Sequence, residues 1–155
     1  MSVPIIIDEW LFHDLSGDNG PEKQRQTWGF LFKLLQVCDR VAILEGSPFE
    51  IKFGQFIKNS GRYPVLREIS KFLNNSIISN SLKTEFIAKG DVQPLPPRLA
   101  KLVPRDDHYL FQAHLKLKSQ GSFIVTTDGR LKHKLLNQSS VVIKLRDQFV
   151  TDYLR

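Results

Sequence analysis

Four acidic residues stand where the chain changes direction, and their type suits metal-assisted phosphoryl chemistry. Asp8 closes the apolar run of "VPIIIDE", and Glu50 lies in the first turn of "SPFEIKFGQFIKN". Asp107 opens "RDDHYLFQAHLKLKSQG", and Asp128 ends "SFIVTTDGRL". Carboxylates that meet repel one another, by about 1 kcal/mol per pair at 4 Å in water and roughly four times that near a protein surface. Such a group takes up protons or holds a cation. Oxygen donors without Cys or His partners suit a hard ion, Mg2+ or Mn2+. Beside a basic surface, that ion implies a phosphate ester as substrate, with water ionised as nucleophile and the leaving oxygen stabilised.

Each acid also has a plain structural use. Asp8 and Asp128 sit where turn chemistry alone favours aspartate. Glu50 follows Ser47 and Pro48 in the pattern of a capping box. Asp106 and Asp107 complement a helix N-terminus by charge. The joint placement of the four therefore depends on the elements that carry them.

Those elements read as alternating strands and helices. Strands are expected at "VPIIIDE", "RVAILEG", "SFIVTT" and "VVIKL". Helices are expected from Glu22 to Val37, over "SPFEIKFGQFIKN", "YPVLREISKFLNNSIIS", "SLKTEFIAKG", "RDDHYLFQAHLKLKSQG" and "RLKHKLLNQ", and in the closing "RDQFVTDYLR". Pro21 suits a helix start and Gly121 a helix stop. "DVQPLPPRLAKLVP", with four prolines, is expected to be a connection. The alternation predicts a three-layer α/β/α fold with a central, mostly parallel sheet. Ligands in such folds gather beyond the carboxyl ends of the strands, where Asp8 and Asp128 lie.

Length and composition fit a single domain spanning residues 1–155, with 41% hydrophobic and 25% charged residues arguing against disorder. A lone cysteine, Cys38, excludes a disulfide framework and a cysteine zinc site, and it is expected to be a small core residue. His13, His108, His114 and His133 show no zinc-ligand spacing. "MSVPIIIDEW" lacks a basic start and its apolar run breaks at Asp8, so neither signal peptide nor membrane segment is expected, and the expected location is cytoplasmic. The net charge of +6 is lopsided: residues 98–155 hold 11 Lys+Arg against 5 Asp+Glu, whereas residues 1–97 balance at 11 of each. A basic final third favours an anionic partner, nucleic acid first, or else a solvated basic face. Arg105, Arg130, Lys132 and Lys134 are candidates for phosphate contact, with Arg130 and Lys134 on one helical face. Phe30, Phe32, Phe53 and Phe56 fall at core spacings.

The motifs "IIID", "SPFEIKFG", "RDDHYLFQAHLKLKSQG" and "SFIVTTDGRL" resemble, in order and across nearly the whole chain, those of PIN-domain ribonucleases. In that family an aspartate closes the first strand, and a glutamate four residues before a glycine opens a helix. A third acid precedes an Asp-x-x-Leu-x-x-Ala helix, and a fourth follows threonine at a strand end. The matching residues are Asp8, Glu50 with Gly54, Asp107 with Leu110 and Ala113, and Asp128 with Thr126. The resemblance implies a Mg2+- or Mn2+-dependent endoribonuclease acting on RNA. It implies Asp8, Asp107 and Asp128 as metal ligands, directly or through water, and Glu50 as a ligand or water-orienting group. Thr126 would steady the site by hydrogen bonding. Many relatives are toxins, often homodimers, silenced by an antitoxin protein. Where the family shows a small residue and then Asn or Ser after the first aspartate, this chain has Glu9 and Trp10, which implies a narrowed crevice or a modified site. Glu45 competes with Glu50 as the second acid, and Asp107 is preferred to its neighbour Asp106 because only one can face the site squarely.

Overall fold

The computed structural model describes residues 2–155. Five strands, Pro4–Ile7 (β1), Arg40–Leu44 (β2), Thr84–Ile87 (β3), Phe123–Thr126 (β4) and Ile143–Leu145 (β5), form one sheet in the order β3-β2-β1-β4-β5. Every pairing is parallel. The central strands β1 and β4 are buried along their whole length, as unbroken apolar runs require when helices cover both faces of a sheet. The expected three-layer α/β/α architecture is what the chain adopts, with the sheet wholly parallel.

Among the described residues, eight α-helices accompany the strands: Trp10–Leu15 (α1), Pro21–Gln36 (α2), Pro48–Ser60 (α3), Pro64–Phe72 (α4), Pro97–Leu102 (α5), His108–Leu117 (α6), Gly129–Lys134 (α7) and Arg146–Tyr153 (α8). Proline at a first helical position starts α2, α3, α4 and α5, where its missing N–H is not needed. Ser47 caps α3 by accepting from the Glu50 amide. Gly121, at φ +80°, turns the chain from α6 and its 3-10 extension into β4, a conformation that favours glycine. α6 packs on β1, β2 and β4, while α8 packs on β4, β5 and α2. Phe12 of α1 meets Phe49 and Phe56 of α3 at ring distances of 4.8 and 5.7 Å.

Four local expectations are corrected. "SLKTEFIAKG" is not a helix: Thr84–Ile87 pairs with β2 as the edge of the sheet, leaving Phe86 exposed. The four-proline stretch is not all connection, because Pro97 begins α5. Cys38 is exposed in the turn before β2 rather than buried in the core. Phe32 is likewise largely exposed, although it stacks edge-on to Trp28 at 5.0 Å. No helix among the described residues is long and apolar enough to cross a membrane.

The chain winds outward from β1 to β2 and β3, then returns to place β4 on the other side of β1. Adjacent strands whose connections leave in opposite directions leave a crevice beyond their carboxyl ends, the usual ligand position in open α/β sheets. The residue that follows β1 is Asp8, and Asp128 follows β4 by two residues.

Candidate functional site

The parallel register pairs Ile7 with Val125, so the next residues, Asp8 and Thr126, emerge side by side. Thr126 is fully buried, and its hydroxyl donates to Asp8 Oδ2 at 3.0 Å. The same hydroxyl oxygen accepts from the Asp128 amide at 3.2 Å. One threonine thus ties the two strand-end aspartates together. Asp8 Oδ1 accepts from the Glu9 amide at 2.6 Å, which holds the carboxylate from its other side. Asp128 Oδ1 caps α7 through the Leu131 amide at 3.0 Å. Its turn role and its place in the site coexist.

Asp107 arrives from the other end of the sequence, in a 3-10 turn leading into α6. It makes no cap hydrogen bond to that helix. Asp8, Asp107 and Asp128 line one cleft of about 570 Å³, together with Glu9, Trp10, His13, Asp14, Asn19, Lys23 and Thr127. The carboxyl of Asp107 is pushed up from 3.8 to about 6, first by burial and then by the charges of Asp8, Asp128, Asp106 and Glu9. Burial and neighbouring like charges both disfavour the ionised form of a carboxyl. Asp106 is exposed, and it is Asp107 that lines the cleft.

Beneath the cleft lies a buried polar floor. Trp10 is buried, and its indole N–H donates to the Val125 carbonyl at 2.9 Å. The ring fixes α1 to β4 and forms part of the cleft wall. Asp14 and Arg146 are both almost wholly buried and paired at 2.8 Å. Arg146 also donates to Thr27 Oγ1, Gln26 Oε1, Asp147 Oδ1 and the Lys23 carbonyl, so its guanidinium is satisfied on every nitrogen. Asp14 accepts from Thr27 and from Asn19 in addition. Its charge is therefore neutralised within the fold, unlike those of Asp8, Asp107 and Asp128.

Glu50 does not join the acids that line this cleft. Its Oε1 accepts from the amide of Gly46, the residue before the Ser47 cap, at 3.3 Å, so it serves the start of α3. Glu45 lines a neighbouring cleft of about 290 Å³ with Gly46, Lys89, Tyr109 and Gln112. The acid that stands beside Asp8 is instead Glu9, its neighbour in sequence. Lys23, Asn19 and His13 also line the cleft without having been singled out in the sequence. They come from α1 and from the Ser16–Gly20 turn with the first helical turn after it, and only folding brings that segment over the strand ends. Lys23 pairs with Asp147 at 3.5 Å. Arg105, Arg130 and Lys134 are exposed, with Arg105 in the turn before Asp107 and the other two on α7 just past Asp128. His108 is tied to the Val103 carbonyl at 2.9 Å.

The donors of the cleft are carboxylate oxygens, which fit a hard divalent cation in type and charge. Among the described residues, no three Asp, Glu, His or Cys side chains are close enough to hold one ion between them. A magnesium-like ion requires less than that, since it keeps several waters and takes one or two carboxylates directly. Asp8, Asp107 and Asp128 are the carboxylates of the cleft that a hydrated ion of that kind would meet. Neither a family model nor a curated protein matches the chain.

Proposed function

We propose that this chain is a divalent-cation-dependent endoribonuclease of the PIN-domain kind, hydrolysing RNA phosphodiester bonds at the acidic cleft. The observation that carries the reading is the meeting of Asp8, Asp107 and Asp128, distant in sequence, in one cleft at the strand-order reversal. The order and spacing of the four sequence motifs support it, as does the basic charge of residues 98–155.

When bound, Mg2+ or Mn2+ supplies the charge that stabilises the phosphoryl oxygens and lowers the pKa of water. The chain supplies position. Thr126 and the Glu9 amide hold the Asp8 carboxylate in one rotamer, and the α7 N-terminus holds Asp128. Arg130 and Lys134 on α7, and Arg105 before α6, offer exposed cations to phosphates flanking the cut, a role that fixes strand position without reading sequence. In the reaction, a water oxygen bonds to phosphorus, a bridging P–O bond breaks, and the departing oxygen takes a proton. Glu50, bonded to the Gly46 amide, supports the start of α3 instead of the reacting centre.

The same resemblance extends the proposal to a toxin, homodimeric and held silent by an antitoxin; co-expression with the adjacent reading frame must then suppress cleavage. A second reading is a PIN-like module that binds RNA or a protein without cutting. It is favoured by the lack of three closely set ligands among the described residues and by Glu9 and Trp10 after Asp8. Incubation of labelled single-stranded RNA with Mn2+ or with EDTA separates the two. Cleavage in Mn2+ that stops in EDTA, and in Asp8→Asn and Asp128→Asn, supports the nuclease; salt-dependent binding without cleavage under any metal supports the module.

A further inference from the structure

A further cleft, of about 240 Å³, opens between α1, α3 and the start of α4, lined by Phe12 and His13 of α1 and by Lys52, Gln55, Asn59 and Tyr63. His13 also lines the acidic cleft, so the two share a wall. Lys52, Gln55 and Asn59 follow one another at intervals of three and four residues, so α3 presents them on one stripe. Tyr63 stands at the N-cap of α4, 61% exposed. The buried rings of Phe12 and Phe56, 5.7 Å apart, supply the apolar part of the lining. His13 is bonded to Asp18 at 3.1 Å, whereas the side chains of Lys52, Gln55, Asn59 and Tyr63 hold no hydrogen bond or ion pair among the described residues. The volume lies below the roughly 300–1,000 Å³ of sites for drug-sized molecules, so it suits a single planar ring system.

We infer that this cleft is a nucleobase subsite: a single-stranded RNA whose scissile phosphate enters the acidic cleft passes over His13 and sets a flanking base against Tyr63. The inference rests on the RNA reading of the proposed function and names the form of substrate it takes. Every base has a π-face, so an exposed ring such as Tyr63 binds one by stacking without strict sequence choice. The carboxamides of Gln55 and Asn59 each offer donors and an acceptor to a base edge, and Lys52 offers a cation to the adjoining phosphate. In a duplex the bases are stacked and their edges engaged, so the subsite takes a loop or a single strand.

The test is binding of a labelled single-stranded oligoribonucleotide, followed by fluorescence anisotropy in EDTA, with the same oligomer annealed to its complement for comparison. Tyr63→Ala is expected to bind the single strand at least about fivefold more weakly than the wild type. Tyr63→Phe, which keeps the ring, is expected to stay within about twofold of it. The duplex is expected to bind all three proteins alike. Tyr63 is exposed, so both variants keep the fold. Equal single-strand affinity in Tyr63→Ala and the wild type overturns the inference and leaves cleavage in Mn2+ untouched. An equal loss in both variants also overturns it, because the effect would then lie in the hydroxyl and not in the ring. A wild-type chain that binds no RNA overturns the RNA reading and the inference with it. That failure is visible in the wild type alone.

Discussion

Replacing Asp107 by Asn removes one charge from the acidic cleft, and the consequence for stability follows from the proton affinity of that group. Its carboxyl is raised from 3.8 to about 6, chiefly by burial and then by Asp8 and Asp128. A shift of that size corresponds to ~3 kcal/mol for a fully buried group. Asp107 is only half-buried, so solvent screening reduces this to roughly 1.5 kcal/mol. The start of α6 favours a negative charge by about 0.5 kcal/mol, which leaves ~1 kcal/mol against the ionised group. Asp107 binds its proton more tightly in the folded chain than in the unfolded one. Ionisation therefore weakens the fold as pH rises from 3.8 towards about 6, and the deficit is complete above that. Asp107→Asn should raise Tm by about 2–4 °C at pH 8 in EDTA, and the gain should vanish near the unfolded pKa of about 4. With saturating Mn2+ the order should invert, because only the wild type retains the full carboxylate set. Differential scanning calorimetry at the two pH values, with and without Mn2+, measures all of this. A variant less stable than wild type at pH 8 in EDTA refutes the reasoning, since Asp107 would then have a favourable partner in the cleft.

Thr126→Val keeps the shape of the buried side chain but removes the bonds to Asp8 and Asp128. It should destabilise the chain by about 1–3 kcal/mol in urea unfolding and weaken Mn2+ binding as well. Arg146→Met leaves Asp14 charged and buried, at roughly 3–5 kcal/mol, whereas Asp14→Leu combined with Arg146→Met should recover much of that loss in the same assay. His114 is fully buried and held near 4, first by burial and then by Lys118, with Nε2 accepting from the Val142 amide. The unfolded chain binds that proton more readily, so about 3 kcal/mol of stability should be lost as pH falls from 6.5 towards 4. Acid titration followed by circular dichroism should show this loss in the wild type and a smaller one in His114→Gln.

The central strands were legible because burial on both faces demands unbroken apolar runs: "PIII" and "FIVT" each lie where the sequence puts them. Helix starts were legible for a similarly local reason, with Pro21 and Ser47-Pro48 marking α2 and α3. β3 was not, because an edge strand of four residues carries too few alternations to outweigh a helical reading of its neighbours. Among the acids, Asp8, Asp107 and Asp128 follow from strand ends and a helix start. Glu50 shows the limit of that logic. A helix-start glutamate satisfies its own backbone first, and no sequence pattern says whether its carboxylate is left over. Glu9 comes with Asp8 at the strand end, whereas Asn19 and Lys23 reach the cleft only through the way α1 and α2 fold back over the strand ends, a tertiary fact that leaves no periodic trace. Trp10 departs from the expected pattern for a reason visible only in three dimensions: its indole N–H satisfies the Val125 carbonyl.

The most direct measurement is anomalous diffraction from a crystal soaked in Mn2+. The predicted result is a peak in the cleft within about 2.0–2.2 Å of a carboxylate oxygen of Asp8, Asp107 or Asp128, lost in Asp8→Asn. A cleft that stays empty at saturating Mn2+, or a peak bound only to acids elsewhere on the surface, contradicts the cation site and the ribonuclease proposal built on it.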